Sequence, residues 1–590
     1  MGSTIRAVRG YMLRHAGQLL AGVVLIIVAN VFALVPPLIL QRAVDSLSQP
    51  NATQALFRYA ALIVGVALAA GVFQFFSRFT INSISRYVEY EMRNEVFQHF
   101  QRLDLEYFQQ RKLGDLVARA TNDLSQVRQM LGPGVSNLCN AMVAFVLTGI
   151  AMLSVDVRLT LYSLTVMPAI TVFFVLISGT IRRHFRAVQD QFGEVSARAQ
   201  ENFSGIRVVK AYAQEAAELE AFNQVNLEYV TRSITYARLN SLLYPSMYFI
   251  SGLAVAIMLW RGGLDVVSGR ITVGHLVQFT AYLAALTWPM ISLGWTVNLF
   301  QQGSASLSRI QEVRTTLPAV ADRHAALGTF APHAGKIEFR NVSFSYGERE
   351  VLHNINLLVP AGTSLGIVGP TGSGKSSLVN LIARIYDATS GSVLIDDHDV
   401  LDIPLADLRQ AVGYVPQESF LFSLSLRENV GFGVDTLTNE QLEHALEVAQ
   451  LGKDVIDFPQ GVETMVGERG VTLSGGQKQR ASIARAIARN PLILMLDEAF
   501  SNVDTNTEAA IMTQLSHVMR DRTSIIVAHR ISTVQHLDRI IVLRDGCIVE
   551  EGTHTELLAL DGTYTALYRR QLLGEELEES DLAGSSEAAD

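Results

Sequence analysis

Six stretches in the first half of the chain run without Asp, Glu, Lys or Arg: residues 16–41, 59–77, 129–155, 159–181, 239–260 and 271–308. A helix needs about 20 apolar residues to cross a bilayer core. The first five therefore predict one crossing each. The sixth exceeds one crossing and is expected to continue into the cytosol near Gln301. Four or five spans accompanied by buried soluble helices is the competing reading of this pattern. Pro36, Pro37, Pro168 and Pro289 fall inside the runs, where a missing hydrogen bond permits a kink but membrane proline is also ordinary.

The flanking charges orient the spans. Between the second and third lie Arg86, Arg93, Arg102, Arg111, Lys112, Arg119 and Arg128. Between the fourth and fifth lie Arg182, Arg183, Arg186, Arg198, Arg207, Lys210, Arg232 and Arg238. The alternate loops are poor in positive charge: residues 43–57 hold none, the turn between the third and fourth spans holds Arg158, and the loop between the fifth and sixth holds Arg261 and Arg270. Positive residues stay on the cytoplasmic side, so both termini are expected there. The two basic loops, each roughly 50 residues long, keep a helical spacing of Glu, Gln, Ala and Leu. They read as membrane helices prolonged into the cytosol and joined at tips near 121–126 and 211–217. The opening segment, with Arg6, Arg9 and Arg14, precedes an apolar run too long for a signal-peptide core and reads as a retained first membrane helix.

Composition sharpens the division. Charged residues are 17% of the 590, against about 25% in soluble domains. Residues 1–335 carry 27 Lys and Arg against 19 Asp and Glu, whereas the remainder carries 20 against 37. A large basic surface for nucleic acid is visible in neither half. Cys139 and Cys547 are the only cysteines, too few for a disulfide framework or a CxxC metal site. The boundaries that follow are a membrane domain at 1–310, a linker at 311–335, an α/β domain at 336–573 and an acidic tail at 574–590 whose like charges favour disorder.

Within the α/β domain, a buried strand leads into Gly369, Pro370, Thr371, Gly372, Ser373, Gly374, Lys375 and Ser376, followed by Ser377 and a helix. This satisfies GxxxxGK[ST] in its required strand–loop–helix context. Glycines let backbone N–H groups wrap phosphates, and the helix offers its positive end. Lys375 is expected to neutralise the β- and γ-phosphates of ATP, and Ser376 to ligate Mg²⁺. Downstream, the apolar strand of LILMLDE ends in Asp497 and Glu498. Asp497 is suited to the magnesium shell and Glu498 to polarising the attacking water.

Leu473, Ser474, Gly475, Gly476 and Gln477 lie some 20 residues before Glu498. This LSGGQ string resembles the signature of ABC-transporter ATPases. The resemblance extends in order to Tyr346, as the aromatic that stacks on adenine, and to Gln417, as the loop glutamine that senses Mg²⁺. It includes Gly467, Glu468, Arg469 and Gly470 as the loop before the signature, and His529 as the switch histidine at the γ-phosphate. Ser501, Asn502, Val503 and Asp504 occupy the D-loop, where the family more often has SALD, so the middle pair departs. Taken singly, Tyr346 could be a core aromatic, Gln417 a solvated loop residue and His529 a satisfied strand-end histidine.

The resemblance covers nearly the whole chain: a six-helix, all-α membrane domain with long cytoplasmic extensions, fused to one α/β P-loop ATPase. Together these look like a half-transporter of the type IV exporter fold, similar to bacterial multidrug and lipid exporter subunits. It implies a second half-transporter as partner, with the signature residues Ser474 and Gly476 of one copy reaching the other's nucleotide. A homodimer is favoured over a heterodimer, because Glu498 and the signature are both intact. The implied activity is ATP-driven export, across the cytoplasmic membrane, of hydrophobic or amphipathic drugs, lipids or peptides. An importer of siderophore type and an ATP-gated channel or regulatory subunit are the alternatives. Asn30, Gln74, Asn140, Phe279, Tyr282, Trp288, Trp295 and Asn298 are the expected cavity residues; each aromatic could equally face lipid or a neighbouring helix.

Overall fold

The computed structural model describes residues 2–48, 52–322, 332–467 and 473–573. The acidic tail at 574–590 and Glu468, Arg469 and Gly470 lie outside the described residues. Contacts divide the chain into two units, one of residues 1–101 and 111–316, the other of 102–110 and 317 onward.

The first unit is helical: α1 (Gly2–Arg14), α2 (Ala16–Asp45) and α3 (Ala52–Phe100) come first. After α4 (Leu105–Gln109), which belongs to the second unit, follow α5 (Leu113–Val155), α6 (Val157–Ser204), α7 (Ile206–Ala211), α8 (Glu215–Val267) and α9 (Val273–Thr315). The six apolar runs lie within the long helices α2, α3, α5, α6, α8 and α9, except for Ile271 and the cap Thr272 at the start of the sixth run. Among the described residues, five of these are long and apolar enough to cross a membrane. The sixth, α6, includes positions between 163 and 178 whose side chains lie outside the described set.

Polar side chains set where these helices begin. The Asp156 carboxylate accepts from the Leu159 N–H at 2.8 Å and caps α6. Thr272 and His275 form a reciprocal capping box on α9. Asp45, at the end of α2, accepts from the Gly274 N–H at 3.0 Å and the Thr272 hydroxyl at 2.9 Å. A carboxylate there faces the positive end of α9. Small residues allow close approach, as they do in membrane bundles generally: a Cβ on Gly22 would lie 2.7 Å from Ile81, and one on Gly303 would lie 2.5 Å from Met130.

The cytoplasmic extension of α6 is locked to α8 by Arg198 on Glu218 at 2.7 Å and by ring contacts of Phe185 with Tyr236 and Phe192 with Tyr229. The second tip occupies 205–214, overlapping the expected 211–217 only in part. The first tip is displaced. Residues 121–126 lie inside α5, and the chain turns instead around 101–112. Asp123 is buried and paired with Arg309, whose Nε donates to Oδ2 at 2.8 Å. A polar side chain satisfied across helices need not end its own. Two π-helical turns, Arg119–Asp123 and Met130–Gly134, interrupt α5, the second accommodating Pro133.

The second unit contains two sheets. One orders β2 (Arg349–Val359), β1 (Ile337–Tyr346), β4 (Ser390–Ile395) and β5 (His398–Asp399), all antiparallel. The other has the order β10-β9-β3-β8-β7-β6, built from β3 (Ser364–Val368), β6 (Val412–Val415), β7 (Ile493–Asp497), β8 (Thr523–Val527), β9 (Arg539–Arg544) and β10 (Cys547–Gly552). Only its β9–β10 edge is antiparallel. All five residues of β3, of β7 and of β8 are buried, as expected of parallel strands covered on both faces. Helix α4 joins this unit: Asp104 accepts from the Ala319 N–H at 2.7 Å, and Tyr386 donates to Gln109 at 2.8 Å.

Candidate functional site

The parallel sheet places the site. In the adjacent strands β3, β8, β7 and β6, the C-terminal ends lead respectively into the Gly369 loop, His529, Glu498 and Gln417. Ligands of open α/β sheets bind beyond these ends.

Gly369 cannot be another residue, because a Cβ there would lie 2.1 Å from the Leu543 carbonyl oxygen. Gly374 has φ of 99° and caps the helix Lys375–Ile382 from the left-handed region. Lys375 is buried, and its ammonium donates to the carbonyls of Gly369 at 3.0 Å and Pro370 at 3.1 Å. Burial lowers its pKa, against the opposing influence of the Glu498 and Asp497 carboxylates. The Ser373 hydroxyl is buried with no hydrogen-bond partner among the described residues. An orphaned hydroxyl inside a glycine loop, at the start of a helix, suits a phosphate oxygen.

Asp497 ends β7 almost completely buried and accepts from Ser376 Oγ at 3.1 Å. Desolvation raises its pKa, the Ser376 hydrogen bond lowers it, and the neighbouring Glu498 charge adds to the rise. A serine hydroxyl beside a carboxylate is a hard-oxygen donor pair that fits Mg²⁺, which keeps water and phosphate oxygens for its other positions. Among the described residues no cluster of three His, Cys, Asp or Glu could hold a metal by itself.

Glu498 is clamped. Gln417 Nε2 donates to Oε2 at 2.6 Å, and His529 Nε2 lies 2.7 Å from Oε1. Its backbone has φ of 50°, a conformation disfavoured for a residue with a Cβ and often concentrated at functional sites. The Glu498 N–H donates to the Val527 carbonyl at 3.0 Å, which holds that turn against β8.

The signature does different work within this chain. Ser474 caps the helix Gly475–Ala488 in a capping box with Gln477, and Gln477 Nε2 donates to Asp454 at 2.8 Å. Gln477 is thus engaged structurally. A Cβ on Gly476 would lie 2.7 Å from the Asn502 carbonyl, so the D-loop rests directly on the helix start. Among the described residues, the hydrogen bonds of Ser474 and Gln477 do not reach the Gly369–Ser377 loop. Tyr346 is 37% exposed, packs edge-on against Phe344 and Tyr386, and hydrogen-bonds Ser377 at 3.2 Å.

Four positions escaped the sequence reading. Gln479 joins the helix to the D-loop, donating to Ser501 Oγ at 2.7 Å and accepting from the Asn502 N–H at 2.9 Å. Buried Glu508 accepts from Arg530 at 2.6 Å and also from the Thr533 hydroxyl. Gln571 accepts from the Ile531 N–H at 2.8 Å and donates to the His529 carbonyl. Tyr414 lies beside Asp497, with its pKa raised chiefly by burial. Only Tyr414 was accessible from sequence, three residues before Gln417.

In the membrane unit the expected cavity residues separate. Phe279 and Tyr282 are wholly buried and belong to the helical core rather than to a cavity wall. Asn30 donates to Asn140 at 2.9 Å, and Asn298 accepts from Arg182 at 2.7 Å. Trp288 and Trp295 are exposed and line a cleft of about 490 Å³, while Gln74 and Asn140 line an adjoining recess.

Residues 19–290 match the family described as the ABC transporter transmembrane region, and residues 352–501 match the family described as ABC transporter. A probable multidrug resistance ABC transporter ATP-binding/permease protein of Bacillus subtilis (strain 168) is 34% identical over 572 residues, covering 96% of both chains. An ATP-dependent lipid A-core flippase of Syntrophus aciditrophicus (strain SB) is 32% identical, covering 96% of this chain and 95% of its own. The solved structure of a bacterial Atm1-family ABC exporter with ATP bound superposes with a TM-score of 0.81 at 27% identity, over 94% of this chain and 99% of that one. The chain belongs to the ABC transporter superfamily, as an exporter-type half-transporter carrying both its membrane and its ATPase domain.

Proposed function

We propose that two copies of this chain form a transporter of the cytoplasmic membrane that uses ATP hydrolysis to export hydrophobic or amphipathic molecules. The observation that carries the reading is the Glu498 carboxylate held between Gln417 and His529, beside a phosphate loop. In this role Glu498 takes the proton of the attacking water, His529 stays at the γ-phosphate, and Lys375 with the loop amides offsets phosphate charge. Ser376, Asp497 and Gln417 would hold Mg²⁺, which neutralises phosphate charge when bound. Tyr346 offers a free ring face to adenine. Because the hydrogen bonds of Ser474 and Gln477 lead elsewhere in their own chain, Ser474 and Gly476 serve the partner's nucleotide. One chain alone is then nearly inactive. Residues 102–110, at the first loop tip but part of the ATPase unit, carry its motion toward the spans.

Inside-out proteoliposomes of the purified chain test this. ATP should drive a fluorescent lipophile into the lumen, and Glu498→Gln should not. Efflux, or ion conductance without accumulation, would reject export.

A further inference from the structure

Arg78 follows directly on the uncharged run 59–77 in α3 and lines the cleft walled by Trp288 and Trp295, together with Asn82 and Asn137. It also borders the adjoining recesses that contain Gln74. A cation at the edge of the hydrocarbon is costly to keep without a partner, and in membrane proteins it marks a ligand path by default. The nearest acid of α3, Glu89, stands eleven positions beyond Arg78, about 16 Å along the helix, and the acids of that stretch are engaged elsewhere. Glu89 pairs with Arg93 at 2.8 Å and Arg128 at 3.0 Å, Glu91 with Arg14 at 3.0 Å, and Glu95 with Arg314 at 3.0 Å. Among the described residues neither Arg78 nor Arg86, which shares the α3 groove, has an ion pair or a hydrogen bond. Arg86 stands eight positions on, two helical turns and about 12 Å away. The cleft therefore joins surplus positive charge to two indole faces, 64% and 52% exposed.

From this we infer that the cargo is an amphipath with an acidic head group, a phosphate or carboxylate, which Arg78 receives while the apolar body lies on Trp288 and Trp295. Asn82 lines the same cleft beside Arg78. Guanidinium forms paired, charge-assisted hydrogen bonds to either acid, and the indoles present broad apolar surface with one N–H each. A neutral lipophile would leave the guanidinium desolvated and unpaired. The inference narrows the cargo class of the export reading and rests on it.

Binding without ATP provides the test. The chain has three tryptophans, so Trp260→Phe leaves Trp288 and Trp295 as the reporters. In nanodiscs of zwitterionic lipid, a monoacyl phosphatidic acid with a brominated tail should quench them saturably. The monoacylglycerol with the same tail should bind at least about tenfold more weakly, and Arg78→Gln should weaken the acid by a similar factor. Arg78→Lys, which keeps the charge, should hold the acid within about threefold. Excess unbrominated monoacyl phosphatidic acid should displace the probe, and inorganic phosphate at the same concentration should not. Equal binding of acid and glycerol, or no effect of Arg78→Gln, overturns the inference. Displacement by inorganic phosphate overturns it too, since a free anion would then be the ligand. Failure here leaves ATP-driven export untouched; failure of export with binding intact rejects only the transport reading.

Discussion

Nε2 of His529 lies 2.7 Å from Oε1 of Glu498, although the two residues come from the ends of different strands, β8 and β7. Parallel register makes the meeting possible. Asp497 is aligned with Val527 in the ladder, so the residues that follow emerge side by side. The histidine is held in turn by Gln571 on its carbonyl, and the next residue by Glu508 on the Arg530 guanidinium. The carboxylate thus stands at the centre of a relay that reaches the helix Thr505–Met519 and the C-terminal residues of the described domain.

Glu498→Gln should lower steady-state hydrolysis by about 10²–10⁴-fold, the usual cost of losing a positioned general base. Nucleotide affinity should stay near the parent value, since Lys375 and the loop are untouched. Rates and equilibrium binding on the purified protein measure both, and near-normal turnover would remove Glu498 from its role.

Lys375→Ala should act on binding itself. Its buried ammonium is the cation nearest the loop carbonyls, and phosphate charge loses that compensation in the variant. A fluorescent ATP analogue should bind at least about tenfold more weakly. Unchanged affinity with reduced turnover would place the ammonium elsewhere during binding.

Asp497→Asn should separate stability from function. Burial raises the Asp497 pKa above the ordinary carboxylate value, so the folded chain binds this proton more tightly than the unfolded one. The charged carboxylate therefore costs stability at neutral pH. That cost grows as pH rises from about 3.9, the unfolded value, through the raised folded value, and then stays constant. Replacing the acid by its amide should raise the nucleotide-free Tm at pH 7, by about 2–4 °C for each 1 kcal/mol relieved in a domain of this size. The same variant should lose Mg²⁺-dependent nucleotide binding. A lower Tm would show that the carboxylate is well stabilised where it stands.

Glu508→Gln tests the relay behind His529. The amide keeps the volume but loses the charge that Arg530 answers. Turnover should fall several-fold with little change in ATP affinity, and an equal loss in Glu508→Asp would argue for simple unfolding instead. Thermal unfolding on the same samples separates the two.

Much of this was legible in the residues because its physics is local. An uncharged run of about 20 residues has few soluble alternatives, and each of the six runs forms a long helix over nearly all its length. The glycines of the phosphate loop and the buried β3 before it announce a turn that only a strand–loop–helix can contain. The expected tip near 121–126 lies inside α5 instead, although Asn and Asp are turn formers in isolation. Their environment reversed the preference: Asp123 found Arg309 on α9, 186 positions away.

The order and spacing of residues determined that there are membrane helices, an ATPase of this superfamily, and an Asp497–Glu498 pair at the end of an apolar strand. Tertiary structure decided which side of each helix meets which neighbour. Phe279 and Tyr282 went to the core while Trp288 and Trp295 stayed exposed, although all four lie in one uncharged run. Among the described residues it also left Arg78 and Arg86 without counterions, the glutamates of α3 being committed to arginines of α1, α3, α5 and α9. Helical periodicity gives each side chain an angle about its own axis, but which partner lies at that angle depends on long-range packing that no local pattern encodes.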